Sequence, residues 1–554
     1  MVHLVKKTIK GKVYLYLEER AWIDGKSKRI SSIYLGPEDK IHKLNIDAIP
    51  KDFEYESLDF GLSMALYKIA KEIDLVPIID SVIGKKREQN LSRGEYILLA
   101  ILQGCCQPGS KSQMSSWFMH DYISTLFKIE PEILNPQTYW NQFQSFEEKN
   151  IEIIEEKLIK KVIEVYNLDL NTLLFDPTNF FTFQSFHSQE NLTQFGHSKE
   201  RRDNLRIINV SILSTLEDGI PLFHLTYKGN TQDAKHFKGV LNKIHTRFDQ
   251  YEQNLTSLIL IFDKGNHSPE AFKEINSLQL PFIASLKNST QKDLLTIPEN
   301  RSIPINLPHN NKKISYYALE RVVYEKNRTL YVTIDPKKQT KAKILFEKTF
   351  DKKKANIDEF IKTKLNNKKW RSQENSERKI RSLIGKFPFK DIIKYTITGD
   401  FAKLRVTIFI DDEVKNGYIS SFGRSIIFTN LFNWDPVTVI QAFRDKYIIE
   451  DIFKRLKNPH YLSIRPMYHW STTCTRAHVF SCFLGMLLLS LLRKKLKQSN
   501  ISTSYDELIE NLSTIKVTKV ISSSTDQSII KLNKLSQKQN EFFDSLNLNS
   551  FLSR

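Results

Sequence analysis

The chain has 554 residues, 40% of them hydrophobic and 26% charged, with 35 phenylalanines and a formal net charge of +19. That apolar content excludes a disordered basic tail, and the length fits several domains of about 100–200 residues each. A cationic excess spread along a folded chain points to a polyanionic partner, most commonly nucleic acid; simple solubility is the competing explanation.

Residues 1–50 alternate in strand fashion around Lys12–Leu17, turn at Asp24-Gly25 and resume at Arg29–Leu35, which predicts a β-hairpin module. Residues 51–167 switch to helical periodicity, with breaks at Pro108-Gly109 and between Pro131 and Pro136. A helical region ahead of a catalytic domain suits DNA recognition, and a plain helical scaffold fits equally well. From 168 onward the apolar runs at Thr172–Phe175, Leu205–Leu213, Pro221–Thr226, Ser257–Phe262 and Pro281–Leu286 read as strands. Helices are expected at Asp233–Phe248 and Ser268–Ser277, so the order is β-β-β-α-β-α-β. Asp176 is expected to end the first of these strands and Asp263 the fourth. If the two strands are adjacent and parallel, both carboxylates leave the sheet at one edge, where sites form in open α/β sheets.

The interval from Asp263 to Glu450 is far longer than one α/β step needs. Its strand-like pieces (Lys313–Tyr324, Arg328–Ile334, Ile392–Ile397, Leu404–Ile410) and the charged helical stretch Ile357–Ile384 predict a β-rich insertion with a helical arm over 296–414. The catalytic core is then 168–295 and 415–492, and 493–554 reads as a peripheral or linking tail. The longest apolar run, Phe480–Leu492, spans 13 residues and reads as a buried helix, too short to cross a bilayer. Four cysteines without metal-site spacing, and an N-terminus without an apolar signal core, lead to the expectation of a reduced, cytoplasmic protein with no membrane partner.

The stretch from Phe443 to Lys457 is read as one helix at about 100° per residue. On it Phe443, Lys446 and Lys457 fall within roughly 40° of Glu450. That face joins an acid to two cations and an aromatic, a combination that holds a divalent ion and grips a nucleic-acid backbone. Two strand-end aspartates and one helix glutamate supply the carboxylate oxygens that a pair of hard cations roughly 3.5–4 Å apart requires. Lys446, Lys454 and Lys457 would neutralise phosphates. Each member has a plain alternative: an Asp after a strand is commonly a turn former or helix cap, and Glu450 is placed to pair with Lys446 or Lys454. Phe443, Tyr447 and Phe453, taken singly, fit core positions.

In combination these motifs resemble the large DDE transposases of the insertion-sequence-four superfamily. Their Y-x2-R-x3-E-x6-K signature reads here as Phe443-x2-Lys446-x3-Glu450-x6-Lys457. Their D-x-T reads as Asp176-Pro177-Thr178 and their D-x-G as Asp263-Lys264-Gly265. Further echoes are Gly196-His197-Ser198-Lys199 with Arg201, Arg202 and Asp203, Gly229-Asn230-Thr231 with Asp233, and Thr429-Asn430. The resemblance runs from the N-terminal module to about residue 490. It implies a ribonuclease-H-like core and cut-and-paste transposition: cleavage at inverted-repeat ends and strand transfer into target DNA. It also implies a homodimer on double-stranded DNA, two Mg²⁺ or Mn²⁺ ions on Asp176, Asp263 and Glu450, and a cytoplasmic, nucleoid-associated protein. Lys446, Lys457 and Lys264 would contact phosphates. Phe443 lacks the signature's tyrosine hydroxyl, and Tyr447, about 60° around the helix, is the candidate substitute. Lys446 keeps the charge of the signature arginine and loses its fork. For Trp370 two expectations compete: holding a distorted base, or packing in the insertion's own core. The rival functions are a nuclease of the same fold that joins no strands, and a catalytically silent transposase-derived DNA-binding protein.

Overall fold

The computed structural model describes residues 2–23, 26–38, 53–84, 90–184, 192–251, 257–309, 311–462, 464–465, 467, 469–522 and 528–552. The turn expected at Asp24-Gly25 lies outside them. The chain forms two compact units, one of residues 1–170, 176–231 and 448–554, the other of 171–175 and 232–447.

The first unit begins with a three-stranded antiparallel sheet, β1 (Val2–Ile9), β2 (Lys12–Ile23) and β3 (Lys26–Pro37), one strand more than a hairpin. Ile9 pairs with Lys12, and the two residues between them, Lys10 and Gly11, both have positive φ. This is the mirror-image turn whose twist matches paired strands. A short strand β4 (Phe53–Asp59) precedes the helices Gly61–Glu72, Leu75–Ile83, Arg93–Cys106, Met114–His120, Pro136–Phe143 and Glu148–Tyr166. Ser92 and Glu95 close a reciprocal cap on the Arg93 helix, which fixes where it starts.

Asp121, 1% exposed, ends the Met114 helix and accepts the Ile123 N–H at 2.9 Å. Burial pushes its carboxyl up to about 7, against the pull of the Ile123 N–H and the Ser63 hydroxyl. An unfolded aspartate releases its proton near pH 3.9. The folded chain therefore holds a proton there that the unfolded chain has lost, and stability falls as pH rises from about 4 to about 7. Asp121→Asn should remove this loss, on the order of 3–4 kcal/mol. Urea melts at pH 5 and pH 8 check it: the difference between the two pH values should shrink in the variant.

Strand β5 (Thr172–Thr182) is continuous, and its residues through Phe175 belong to the second unit. The first unit takes the rest of it, together with β6 (Arg206–Thr215) and β7 (Pro221–Lys228), an antiparallel pair.

In the second unit, β5 pairs parallel with β8 (Ile259–Phe262), and β8 pairs parallel with β9 (Phe282–Leu286). The crossover helices Asp233–Gln250 and Pro269–Ser277 precede β8 and β9, as βαβ units require. The sheet continues antiparallel through β15 (Arg424–Thr429) to β12 (Lys326–Ile334), β11 (Lys312–Val323) and β10 (Ile303–Leu307). The strands read as part of a β-rich insertion at Lys313–Tyr324 and Arg328–Ile334 are therefore strands of the central sheet. What is inserted between β12 and β15 is mainly helical. It holds helices Pro336–Thr363, Gln373–Ile384 and Asp412–Ser420 with one hairpin, β13 (Ile393–Thr398) and β14 (Arg405–Ile410), around Phe346, Phe350, Ile357, Phe360 and Ile380. Its two ends meet where the Asp335 N–H donates to the Gly423 carbonyl at 2.9 Å. Gly423 has φ +70°, and a Cβ there would lie 2.7 Å from the Asp335 carbonyl oxygen.

The chain returns to the first unit through the helix Tyr447–Lys457 and the 27-residue helix Thr472–Gln498. The latter is long and apolar enough to cross a membrane by length and composition, and 89% of its most apolar window is buried within the protein. The residues after it are no loose tail. Helices Tyr505–Ser513 and Gln537–Ser545 flank β16 (Lys516–Ser522) and β17 (Ser528–Leu532), and β16 pairs along the whole of β4.

Candidate active site

β5 and β8 run in parallel register, with Phe175 opposite Phe262. Asp176 and Asp263 are the next residues along their chains. Asp263 lies just past the end of β8, as expected. Asp176 does not end its strand, because β5 runs on to Thr182. The register with β8 stops at Phe175, and Pro177, which has no N–H to offer a ladder, follows at once.

Around Asp263 the second unit builds a tight polar cluster. Its Oδ1 accepts the Lys264 N–H at 2.7 Å and the Ser285 hydroxyl from β9, and its Oδ2 accepts the Lys446 ammonium at 3.0 Å. Burial would raise this carboxyl, but the Ser285 hydroxyl, Lys446 and the Lys264 N–H together hold it down at about 2. Nearby His267 is pushed down to about 4 by burial. Lys446 also lies over the Phe443 ring, 5.7 Å from its centroid, so those two signature positions meet. Lys264 contributes its backbone N–H, and its side chain is exposed.

One helix from Phe443 to Lys457 was expected; the structure has two. The first, Pro436–Arg444, is capped by Asp445, and the second starts at Tyr447. The helix stops at its cap Asp445, which is 2% exposed and held by the Gln441 amide at 2.7 Å and by His309 at 2.8 Å, and Asp445-Lys446 form a turn. Phe443 and Lys446 therefore do not share a helix with Glu450. Within Tyr447–Lys457, Ile449, Ile452, Phe453 and Leu456 are buried, which settles Phe453 as a core residue. Glu450 and Lys454 are exposed and Lys457 is half-buried, and the three share a face at i, i+4 and i+7. Tyr447 is 57% exposed, consistent with a surface contact and not with a core position.

In the first unit, Lys457 lies 5.6 Å from the Phe180 ring of β5 and 3.6 Å from Glu200. Arg465 binds Glu200 at 2.7 Å, donates to the Lys457 carbonyl, and stacks 4.4 Å from the Phe181 ring. Burial, together with the neighbouring Lys199 and Arg465, lowers the Lys457 ammonium against the pull of Glu200. Lys199 in turn donates to the Pro177 carbonyl, and Asn179 holds the Lys199 N–H at 3.1 Å. Two aromatics of β5 thus lie under several cations whose nearby acid is Glu200. Arg465 and Ser285 carry no sequence signal; Lys199 sits in the Gly196–Lys199 echo.

Among the other echoes, Gly196, Gly229, Thr429 and Asn430 are architectural. Thr429 and Asn430 clamp the start of β9: the Asn430 side chain accepts the Phe282 N–H at 2.9 Å and donates to the Leu280 carbonyl at 3.1 Å. A Cβ on Gly229 would lie 2.0 Å from the Ile207 carbonyl oxygen, and one on Gly196 2.3 Å from that of Gly229. Gly229→Ala should cost on the order of 4 kcal/mol or more. The control Gly239→Ala, in an open helical position, should be neutral or slightly stabilising, as thermal melts of the pair would show. Trp370 is partly buried in the insertion. It packs edge-on against Phe360 at 5.6 Å in the insertion's core, and its backbone N–H donates to the Asn367 carbonyl.

Ionised carboxylates suit hard divalent cations. Asp263 is ionised, and a metal on its Oδ2 would displace Lys446. Among the described residues no three His, Cys, Asp or Glu side chains are grouped as ligands for one ion. Asp176 and Glu450 belong to the first unit and Asp263 to the second.

No family model matches the chain, and no curated protein matches it. Among solved structures it is similar to the piggyBac transposase in a synaptic complex with hairpin DNA. The TM-score is 0.39 at 8% identity, over 82% of this chain and 78% of that one.

Proposed function

We propose that the chain is a DDE-type DNA transposase, allied by its motifs to the insertion-sequence-four superfamily, with Asp176, Asp263 and Glu450 as its metal-binding acids. The observation that carries this reading is the parallel β5–β8 register, which sets the two aspartates of the D-x-T and D-x-G motifs one residue beyond a paired Phe175 and Phe262. Two Mg²⁺ or Mn²⁺ ions would supply activation of the attacking oxygen and stabilisation of the leaving one. The chain's own residues have other work. Ser285 and the Lys264 N–H orient Asp263, Lys446 keeps it charged until DNA and metal arrive, and Lys457 positions phosphates.

The Lys446–Asp263 ion pair also favours a second reading, a silent DNA-binding descendant in which a lysine has taken the cation's place permanently. Calorimetric titration with Mn²⁺ separates the two. The transposase reading expects Mn²⁺ binding that Asp263→Asn abolishes, together with metal-dependent nicking of terminal-repeat DNA and joining of a pre-cut end to a plasmid. Nicking without joining would identify a nuclease. Neither binding nor nicking would leave only DNA association.

A further inference from the structure

Away from the acids, the first unit holds a cavity of about 720 Å³ where the Ser110–Gln113 turn, the start of the Pro136–Phe143 helix and residues Pro459, Arg465, His469, Trp470 and His478 come together. Its lining is unusual for a surface hollow in three respects. Two tryptophans, Trp140 and Trp470, line it while 43% and 55% exposed, so their rings are not consumed by the core. Two cations, Lys111 and Arg465, line it, and no Asp or Glu does among the described residues. Two histidines, His469 and His478, complete it with ring centroids 5.3 Å apart.

The chemistry of each group narrows the ligand. Exposed indoles recognise flat aromatic faces, and Lys111, in a lining that holds no acid among the described residues, can recognise an anion. His478 donates through Nε2 to the Ile464 carbonyl at 3.2 Å, and its Nδ1 is buried with no hydrogen-bond partner among the described residues. Burial holds both imidazoles well below neutrality, at about 4 for His469 and about 3 for His478, so they offer lone pairs and not charge. Burial also lowers the Lys111 ammonium to about 8. A nucleotide joins a planar ring with hydrogen-bond donors to an anionic group and so meets this description, and the volume lies in the range of small-ligand sites.

We propose that this cavity binds one unpaired nucleotide of a DNA strand, its base against Trp140 and Trp470 and its phosphate at Lys111. Continuity with the candidate active site supports a strand as the source. Arg465 lines the cavity, and its guanidinium also stacks on Phe181 of β5, five residues beyond Asp176. A base lodged here would anchor the strand whose backbone runs past Lys457. The assignment rests on the DNA-processing reading only for the source of the nucleotide.

The test is binding without metal, so that chemistry does not enter. A duplex with a one-nucleotide unpaired end should bind about tenfold more tightly than the same duplex blunt-ended, the scale of one base–aromatic stack. Trp140→Ala and Trp470→Ala should each erase that preference and leave blunt-duplex affinity unchanged, and Trp470→Phe should restore most of it. Lys111→Gln should weaken the unpaired-end duplex and an abasic version of it alike. Asp263→Asn should retain the preference, so the cavity can fail while the catalytic reading stands, and the reverse. Equal binding of the two duplexes by wild type, or an intact preference in both tryptophan variants, overturns the proposal. Quenching of tryptophan emission by deoxyadenosine monophosphate, with no gain for the unpaired end, would assign the cavity to a free nucleotide and overturn the strand.

Discussion

A chain ending at Ser499 should fail to fold its first unit. The residues beyond that point bury Tyr505, Leu508, Leu512, Ile515, Val517, Phe542, Phe543, Leu546 and Leu548. At about 1.5–3 kcal/mol of gross burial for each large side chain, the segment contributes a sum of the same order as, or above, the net stability of an ordinary domain, about 5–15 kcal/mol. The damage would not stop at exposed apolar surface. β4 would lose its partner β16, and the Phe60 and Gly61 N–H groups would lose the Ile515 carbonyl that both donate to. Gly61 is packed so closely on this segment that a Cβ would lie 2.3 Å from the Leu512 carbonyl oxygen. The Glu450 helix would loosen as well, because its Arg455 is anchored by Asp506 at 2.8 Å. The expected result is an insoluble product or one without a cooperative melt. A truncated chain that melts cooperatively within a few degrees of the full one would show that these contacts carry little energy.

This segment also marks where the sequence is hardest to read. Its elements are short, and each pairs with something hundreds of residues away, as β16 does with β4. Periodicity within a window carries no information about such a partner. The central strands are legible because β8 and β9 are nearly continuous apolar runs buried on both faces and β6 carries a dense apolar set, and the helices between β7 and β9 have clear amphipathic periods. β11 and β12 were recognised as strands but assigned to an insertion. Nothing local to Lys312–Ile334 says that β15, about ninety residues on, will pair with β12. At the candidate site, the acids and lysines were visible as types and spacings. The interruption at Asp445 was not, since Phe443–Lys457 has a helical period throughout and the break falls at a buried carboxylate held by His309 and Gln441. Ser285 was hidden for the same reason: its hydroxyl matters only because β9 lies beside β8.

Asp176→Asn, Asp263→Asn and Glu450→Gln should each lower DNA cleavage by roughly 10²–10³-fold, the scale lost when a group stabilising developing charge is removed. All three conserve shape. In Asp263→Asn the side-chain amide would keep an oxygen for the Ser285 hydroxyl and the Lys264 N–H, so folding should be little affected and the loss can be read as chemistry. The decisive measurement is the double variant. Groups that act as one unit lose nearly everything with the first substitution, so Asp176→Asn with Glu450→Gln should be scarcely worse than either alone. Lys446→Gln should behave differently. With that ammonium gone, the Asp263 carboxyl should rise from about 2 towards the usual carboxylate range, an effect visible by carboxyl-carbon NMR, while metal-dependent cleavage falls far less than with any acid removed. If Lys446 instead occupies the cation's place for good, removing it should create Mn²⁺ binding where wild type had none. Losses that multiply in the double variant would mean that the acids serve separate structural ends, and the shared-site reading would fall with them.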